Sequence, residues 1–506
     1  MTTIPLLPTS AIRAIEVEHA RREPGSSLML RAADAAVRTA VEMCGGSGRI
    51  LVMAGPGNNG GDAWVVARQL QALWYRVTVL SISAPKAVEA AAAHTAFLEA
   101  GGTVVESMPD AAQDLIIDGL LGIGLSRPPE SPVSDWIDCA NASGWPILAL
   151  DVPSGLDADT GRVAGRCIKA RQTITFIADK PGLHTGEGPD HAGTVEVASL
   201  GIDPEVMSGV DPKDRGQLLL RATCPHPLQP RRLDTHKGRF GTTGIIGGAR
   251  GMAGAGLLAA RTALFAGAGK VFLGLLDETL GTVDWNHPEI MFRRPRDMLE
   301  NEVISALIIG PGLGTTDAAR NILESSLKSS IPIVLDADAL NLVSRGRALQ
   351  TALKRRAENG FVSIMTPHPS EAARLLGTQT ADIRTDRINA AKALAARFGS
   401  VVVLKGVGSV IAEPSGSWSI NQSGNPGMAA GGMGDVLAGL LGALLAQSQE
   451  SGLSAVDVVR LATWVHGRAA DELVAGGTGP IGLTPSEVAR ACRTVLNKHC
   501  TLPILR

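Results

Sequence analysis

The sequence predicts an α/β protein of two units, each a largely parallel sheet covered by helices on both faces. Three observations carry this. Short apolar, strand-like runs alternate with longer helix-like stretches through most of the 506 residues, the rhythm of repeated βα units. These runs end in polar or glycine-rich loops, which in an open α/β sheet mark the edge where ligands bind. The rhythm fades after Leu200 and restarts at Thr243.

In the first half, residues 11–43 read as helical, with an apolar stripe through Ile12, Ile15 and Val17. Residues 50–54 form the first apolar run. Gly55-Pro56-Gly57-Asn58-Asn59-Gly60-Gly61-Asp62 follows, then a helix through Trp74. Residues 77–80 make the next strand and 86–100 an alanine-rich helix. Strands are expected at 115–118, 147–151 and 173–177. The first two run into Asp118-Gly119-Leu120-Leu121-Gly122-Ile123-Gly124 and Asp151-Val152-Pro153-Ser154-Gly155. Residues 203–232 hold prolines and charges with little periodicity, and the domains are taken as 1–215 and 216–506. In the second half a strand at 243–247 precedes a helix at about 254–266 and a strand at 271–276. Runs at 306–309, 331–335, 363–365 and 401–404 then end in Gly310-Pro311-Gly312-Leu313-Gly314, Asp336-Ala337-Asp338, Thr366-Pro367-His368-Pro369 and Lys405-Gly406-Val407-Gly408-Ser409.

Composition excludes several classes. Lys+Arg 47 against Asp+Glu 49 gives a net charge of -2, which offers nucleic acid or an anionic membrane no electrostatic hold. Aromatics are 3% with a single tyrosine, too few for base-stacking platforms. The six cysteines show no CxxC spacing, as expected of free thiols in a reducing compartment. The first ten residues lack a signal-peptide pattern, and the longest apolar helix candidate, 436–446, is too short to span a bilayer. A soluble cytoplasmic protein is expected.

The chemistry-bearing residues sit at strand ends. The glycines of the first motif permit a tight turn, Asn58 and Asn59 add amide groups, and Asp62 reads as a first-turn acid, either a dipole cap or a ligand. Asp118 and Asp151 end separate strands. Together they suit either a hard cation, with Asn59 and Ser154 as further oxygen ligands, or proton transfer; the spacing leaves both open. In Gly431-Gly432-Met433-Gly434-Asp435 the glycines free backbone N–H groups for an anion. Asp435 at the helix start can take a proton from a hydroxyl attacking a phosphoryl group. His368 alone reads as a loop histidine. Lys405 suits phosphate through its glycine-rich context.

With these motifs in this order, the first half resembles the NAD(P)H-hydrate epimerase family (YjeF N-terminal domain) through 55–62, 118–128 and 151–157. The second half resembles the ADP/ATP-dependent NAD(P)H-hydrate dehydratase family, which has a ribokinase-like fold. It does so through His236-Lys237-Gly238, Gly247-Gly248, 310–314, 336–340, 366–371, 405–409 and 425–439. Epimerase before dehydratase is the order of the fused bacterial enzymes of nicotinamide-nucleotide repair. The resemblance implies a Rossmann-like sheet followed by a ribokinase-like domain.

It also implies roles. Asn58, Asn59, Gly60, Gly61, Asp62, Gly122, Ile123, Gly124, Leu125, Ser126, Arg127 and Pro128 would cradle the hydrated dinucleotide, NAD(P)HX, with Asp151, the catalytic candidate of that half. Asn59, Asp118 and Ser154 would hold K⁺. Ala255, Gly314, His368 and Asp435 would contact the hydrate in the second half, with Asp435 as catalytic base. Lys405, Gly406, Val407, Gly408, Ser409 and Gly434 would hold ADP, the co-substrate, accompanied by Mg²⁺. A homo-oligomer is expected. Ala63 stands where the family usually has glycine, and Met433 where it often has threonine.

In the implied reaction the hydroxyl on ring carbon 6 is phosphorylated, and the ring nitrogen lone pair then expels phosphate. One epimer fits such a chiral site, so the other must be interconverted. The alternatives are a ribokinase-like vitamin or sugar kinase with an accessory Rossmann-like domain, and a non-catalytic scaffold.

Overall fold

Branched apolar runs too short for helices become the strands of two sheets. The computed structural model describes residues 3–500 apart from Ile82, Lys86, Ser126, Glu278, Leu280, Gly281, Thr282, Asn301 and Glu302. The chain divides into one unit spanning Pro5–Gly216 and another that runs from Gln217 and takes in the first residues. After β1 (Thr3–Leu6) come β2 (Arg49–Ala54), β3 (Arg76–Leu80), β4 (Thr103–Val105), β5 (Leu115–Gly119), β6 (Ile147–Leu150), β7 (Gln172–Phe176) and β8 (Thr194–Ala198). β2 to β8 form one sheet in the order β4-β3-β2-β5-β6-β7-β8, and its pairings are parallel.

Both faces of this sheet are covered, as parallel sheets require. Ile50, Val52 and Ile117 join one core, with the helices Leu28–Cys44 and Asn58–Ala72; Leu51, Met53 and Ile116 join another, with Trp136 and Ile137. The chain leaves β2 toward β4, then returns to β5 on the other side of β2. The loops after β2 and β5 therefore part at a switch point, where a crevice opens.

Residues 11–43 are helical as expected, in two helices, Thr9–Arg22 and Leu28–Cys44. Three expectations are corrected, on Val17, Trp74 and Asp62. Ile12 and Ile15 are buried, but Val17 is 72% exposed, since two residues turn a helix about 200°. The helix after the first motif runs Asn58–Ala72 and stops short of Trp74, whose φ is 68°. It begins at Asn58, so Asp62 lies beyond the first turn, and the dipole-cap role falls away.

In the second unit the strands are β9 (Gly216–Leu219), β10 (Thr242–Gly247), β11 (Lys270–Leu275), β12 (Met291–Phe292), β13 (Ala306–Ile309), β14 (Ile333–Leu335), β15 (Ser363–Met365), β16 (Val401–Leu404), β17 (Ser409–Ala412) and β18 (Trp418–Asn421). Their order is β1-β9-β18-β17-β16-β15-β14-β13-β10-β11-β12. β10 to β16 pair in parallel, whereas β16, β17 and β18 pair antiparallel. The sequence reading did not include β17 and β18. Here the switch point lies between β10 and β13.

Helix Met433–Ala446 is buried along most of its length and packs on helix Ala253–Phe265. The approach is close: a Cβ on Gly439 would lie 2.3 Å from the Ala259 carbonyl oxygen. Among the described residues no helix is long and apolar enough to cross a membrane.

The first crevice rests on backbone-to-backbone packing. A Cβ on Gly55 would sit 1.8 Å from the Leu120 carbonyl oxygen, which cannot move without displacing β5. Gly55→Ala is expected to lower stability of the first unit by about 1–3 kcal/mol or more. Denaturant unfolding checks this; an unchanged midpoint would contradict the packing.

Candidate functional sites

In the first unit, helix Asn58–Ala72 starts immediately after the glycine turn and drops Asn59 into the crevice. Asn59 Nδ2 donates to the carbonyls of Leu121 (2.9 Å) and Leu150 (3.1 Å). Its Oδ1 is buried without a hydrogen-bond partner. Asp118, fully buried at the end of β5, accepts from Ser154 N (2.8 Å), Ser154 Oγ (2.6 Å) and Leu120 N (3.2 Å). Burial pushes its carboxyl up to about 6, against the pull of those bonds. Asn59, Asp118 and Ser154 are thus brought together. One carboxylate, a hydroxyl and an orphaned amide oxygen suit a hard cation.

Asp151 follows β6 with φ 65°, a conformation that costs a non-glycine residue free energy and clusters at functional sites. Its Oδ1 lies 2.7 Å from Nζ of the fully buried Lys180. Asp62 and Glu16 stand nearby. Burial first, then the charges of Asp151 and Glu16, raise Asp62 well above the usual carboxylate range. Glu16 is also raised, by burial and then by Asp151.

Ile123, Gly124 and Leu125 line a cleft of about 290 Å³ with Thr9, Arg13, Asp157, Ala158 and Asp159. Asn58, Arg127 and Pro128 are exposed, and Gly122 lies beside the Asn59 side chain. Gly60 and Gly61 pack inward, against the Gly55 backbone and Met29. Ser126 lies outside the described residues.

In the second unit the loops after β14 and β16 meet the start of helix Met433–Ala446, and the loops after β10 and β13 bond each other. Gly248 N and Ala249 N donate to Pro311 O and Gly312 O. A Cβ on Gly312 would lie 3.2 Å from Ala255. Gly314 N donates to Asp338 Oδ2 at 2.8 Å. Lys405 Nζ pairs with Asp336 Oδ1 at 2.7 Å, which also accepts from Thr366 Oγ1 at 2.7 Å. A Cβ on Gly434 would lie 3.2 Å from Lys405 Nζ, so the helix start abuts the ion pair.

Asp435, in the first turn, is pushed up to about 7 by burial and then by Asp336, with Lys405 opposing. His368 caps helix Pro369–Leu376, its Nδ1 accepting from Ser370 N (3.2 Å) and Glu371 N (3.4 Å). Burial and then Lys405 lower its pKa, and burial lifts Glu371 to about 7. Gly406 and Gly408 take φ 142° and 58° in the turn that leads from Lys405 through Val407 to Ser409.

The sequence reading missed Lys180, Glu16, Arg387 and His466. Arg387 is buried and donates to Leu404 O (3.2 Å) and Lys405 O (3.4 Å). His466 is buried mid-helix with Nε2 unpartnered, and burial, then Lys405, lowers it to about 4. Lys180 alone carried a signal, as a lysine in a loop that follows an apolar run.

The family model described as NAD(P)H-hydrate dehydratase matches residues 243–492. The one described as YjeF-related protein N-terminus matches 25–182. The bifunctional NAD(P)H-hydrate repair enzyme Nnr of Escherichia coli (strain K12) is 40% identical, covering 94% of this chain and 90% of its own. The bifunctional NAD(P)H-hydrate repair enzyme of Leishmania braziliensis is 37% identical, covering 93% of this chain and 90% of its own. Among solved structures, the ADP/ATP-dependent NAD(P)H-hydrate dehydratase of Bacillus subtilis co-crystallised with ATP/Mg²⁺ is 29% identical. It covers 55% of this chain and 95% of its own, with a TM-score of 0.45.

Proposed function

The chain belongs to the family of bifunctional NAD(P)H-hydrate repair enzymes, and we propose that its two units divide the two reactions. The Rossmann-like first unit interconverts the R and S hydrates. The ribokinase-like second unit dehydrates the S hydrate to NAD(P)H, with ADP as phosphoryl donor. The observation that carries this is the second crevice, where Asp435 stands at a helix start beside a lysine already committed to Asp336.

Asp435 takes the proton of the hydroxyl on ring carbon 6 as that oxygen attacks the terminal phosphate. Lys405, Gly434 and the glycine turn to Ser409 hold the phosphates, with helix-start N–H groups facing the anion. Phosphate is a better leaving group than hydroxide, and the ring nitrogen lone pair expels it. His368, Gly314 and Ala255 line the hydrate side. Among the described residues no cluster of three or more His, Cys or carboxylate groups is arranged to hold a metal. A Mg²⁺ arriving with ADP would therefore be held chiefly by phosphate oxygens, supplying charge neutralisation.

In the first unit, Asn59, Asp118 and Ser154 would hold K⁺, whose positive charge would answer the buried carboxylate. The orphaned Asn59 Oδ1 supports this. Asp118 titrates near 6 when folded, above its unfolded value of about 3.9. Its contribution to stability is thus full below the unfolded value and lost as pH rises through about 6. A bound cation offsets that loss. K⁺ is therefore expected to raise the melting temperature of the first unit more at about pH 8 than at about pH 5. Asp118→Ala should abolish both the K⁺ shift and epimerisation while dehydration of the S hydrate persists. Loss of both activities together would contradict separate sites.

ADP is expected to support faster dehydration than ATP at equal concentration, read as recovery of the near-ultraviolet absorbance of the reduced nicotinamide. A preference for ATP would reverse the assignment of the donor.

Asp435→Asn keeps shape and helix-start hydrogen bonding but cannot accept the proton. Dehydration should fall roughly 10²–10⁴-fold with ADP binding retained. In the unaltered enzyme the rate should rise with pH through about 7, as Asp435 ionises. Near-normal turnover of Asp435→Asn would mean that another group takes the proton.

A further inference from the structure

Three carboxyl groups of the first unit, Glu16, Asp62 and Asp151, act on one another electrostatically, and the ammonium of Lys180 acts on Glu16 and pairs with Asp151. The helix Thr9–Arg22 brings Glu16 and Arg13, and helix Asn58–Ala72 brings Asp62. Lys180 is fully buried and committed. Its Nζ is 2.7 Å from Asp151 Oδ1 and donates to Thr175 Oγ1 (2.8 Å), Phe176 O (2.9 Å) and Ala178 O (3.2 Å). Asp151 Oδ1 also accepts from Phe176 N (3.2 Å) and Thr175 Oγ1 (3.4 Å).

These contacts all fall on Oδ1, while the Asp151 side chain keeps 12% exposure. Among the described residues no hydrogen bond falls on Oδ2. Among the described residues Asp62 makes no ion pair, and burial, then the charges of Asp151 and Glu16, raise its carboxyl well above the usual carboxylate range. A pair of carboxyl groups held in opposite protonation states is the arrangement that acid–base chemistry needs.

We propose that Lys180 is a positioning residue for epimerisation: it commits Asp151 to carry the negative charge, with Oδ2 as base, and so leaves Asp62 as the acid. The proposal rests on the reading of this unit as the hydrate epimerase.

The substrate is a hemiaminal, in which ring carbon 6 bears both a hydroxyl and the ring nitrogen. Asp151 takes the hydroxyl proton, and the freed O–H electron pair forms the second carbon–oxygen bond of an aldehyde. The carbon–nitrogen bond breaks, its electron pair passes to nitrogen, and nitrogen takes the proton of Asp62. Rotation of the aldehyde presents its other face. The reverse steps then close the ring as the opposite epimer and return each proton to its first owner. Nothing else is consumed.

The test is made on the full chain, measuring interconversion of R and S hydrate, calorimetric binding of the R hydrate, and dehydration of the S hydrate. Lys180→Met should slow epimerisation roughly 10²–10³-fold with R-hydrate binding within about threefold. Lys180→Met/Asp151→Asn should be no slower than Asp151→Asn alone, because Lys180 acts through Asp151.

A near-normal rate or additive losses would each overturn the proposal. If Lys180→Met loses hydrate binding, the double variant, which removes both buried partners, should regain it; failure to regain it would make Lys180 a packing residue and overturn the proposal. The unaltered enzyme separates the two readings. If it cannot interconvert the epimers while it dehydrates the S form, the epimerase reading itself fails.

Discussion

Both crevices depend on one constraint: backbone packed directly on backbone at the switch point of a parallel sheet. A Cβ on Gly55 would meet the Leu120 carbonyl at 1.8 Å, and one on Gly60 the Gly55 carbonyl at 1.8 Å. In the second unit the same geometry recurs. A Cβ on Gly247 would meet Pro311 O at 2.1 Å, and one on Gly310 would meet Asp336 O at 1.8 Å. Side chains cannot fill these contacts, so the loops interlock through main chain and leave the side chains of their neighbours free for chemistry. Asn59 and Asp118 in one unit, and Asp336 and Gly314 in the other, stand where they do because a glycine lets the adjacent loop close.

From that base the two sites diverge. In the first, the helix begins at Asn58 and turns a polar amide inward, where it meets the ends of β5 and β6. The result is an oxygen-lined pocket around one carboxylate. In the second, Gly432 with φ 97° precedes helix Met433–Ala446, and the helix is wedged over Ile308 and Thr243 through Gly442. Its start therefore lies against Lys405 and Asp336. Two glycine-rich acidic motifs thus shape two different crevices, and what separates them is which part of the helix start points into the crevice.

The strand ends were legible because short apolar runs and glycine loops are local signals, and Asp118, Asp151 and Lys405 are found at such ends, while Asp435 lies in the first turn of a helix. The turn position of Asp62 was misjudged, because the glycine loop is shorter than its composition suggests and the helix starts at Asn58. β17 and β18 escaped because an antiparallel addition breaks the βα rhythm that guided the reading. Partnerships were out of reach. Asn59 bonds a carbonyl 91 residues away and Lys405 an aspartate 69 residues away, and no local pattern encodes such pairings. Arg387 and His466 sit within ordinary helical sequence, and only the fold reveals that Arg387 bonds the backbone at Leu404 and Lys405 and that Lys405 acts on His466.

The electrostatic design is shared more closely than the motifs are. Each crevice places one lysine among several carboxyl groups, and in each the lysine is bound at 2.7 Å to an aspartate other than the one left to titrate. Lys180 answers Asp151, and Asp62 is driven upward by burial and by the charge on Asp151. Lys405 answers Asp336, and Asp435 is driven to about 7 by burial and by the charge on Asp336. A lysine placed evenly between both carboxyl groups would hold both ionised, and neither would carry a proton near neutrality. Commitment of the ammonium to one partner is what frees the other, because a buried charge already paired offers a neighbour little further stabilisation while its aspartate still repels. Where each lysine is spent is set by β7 and its following loop in one sheet and by β14 and β16 in the other.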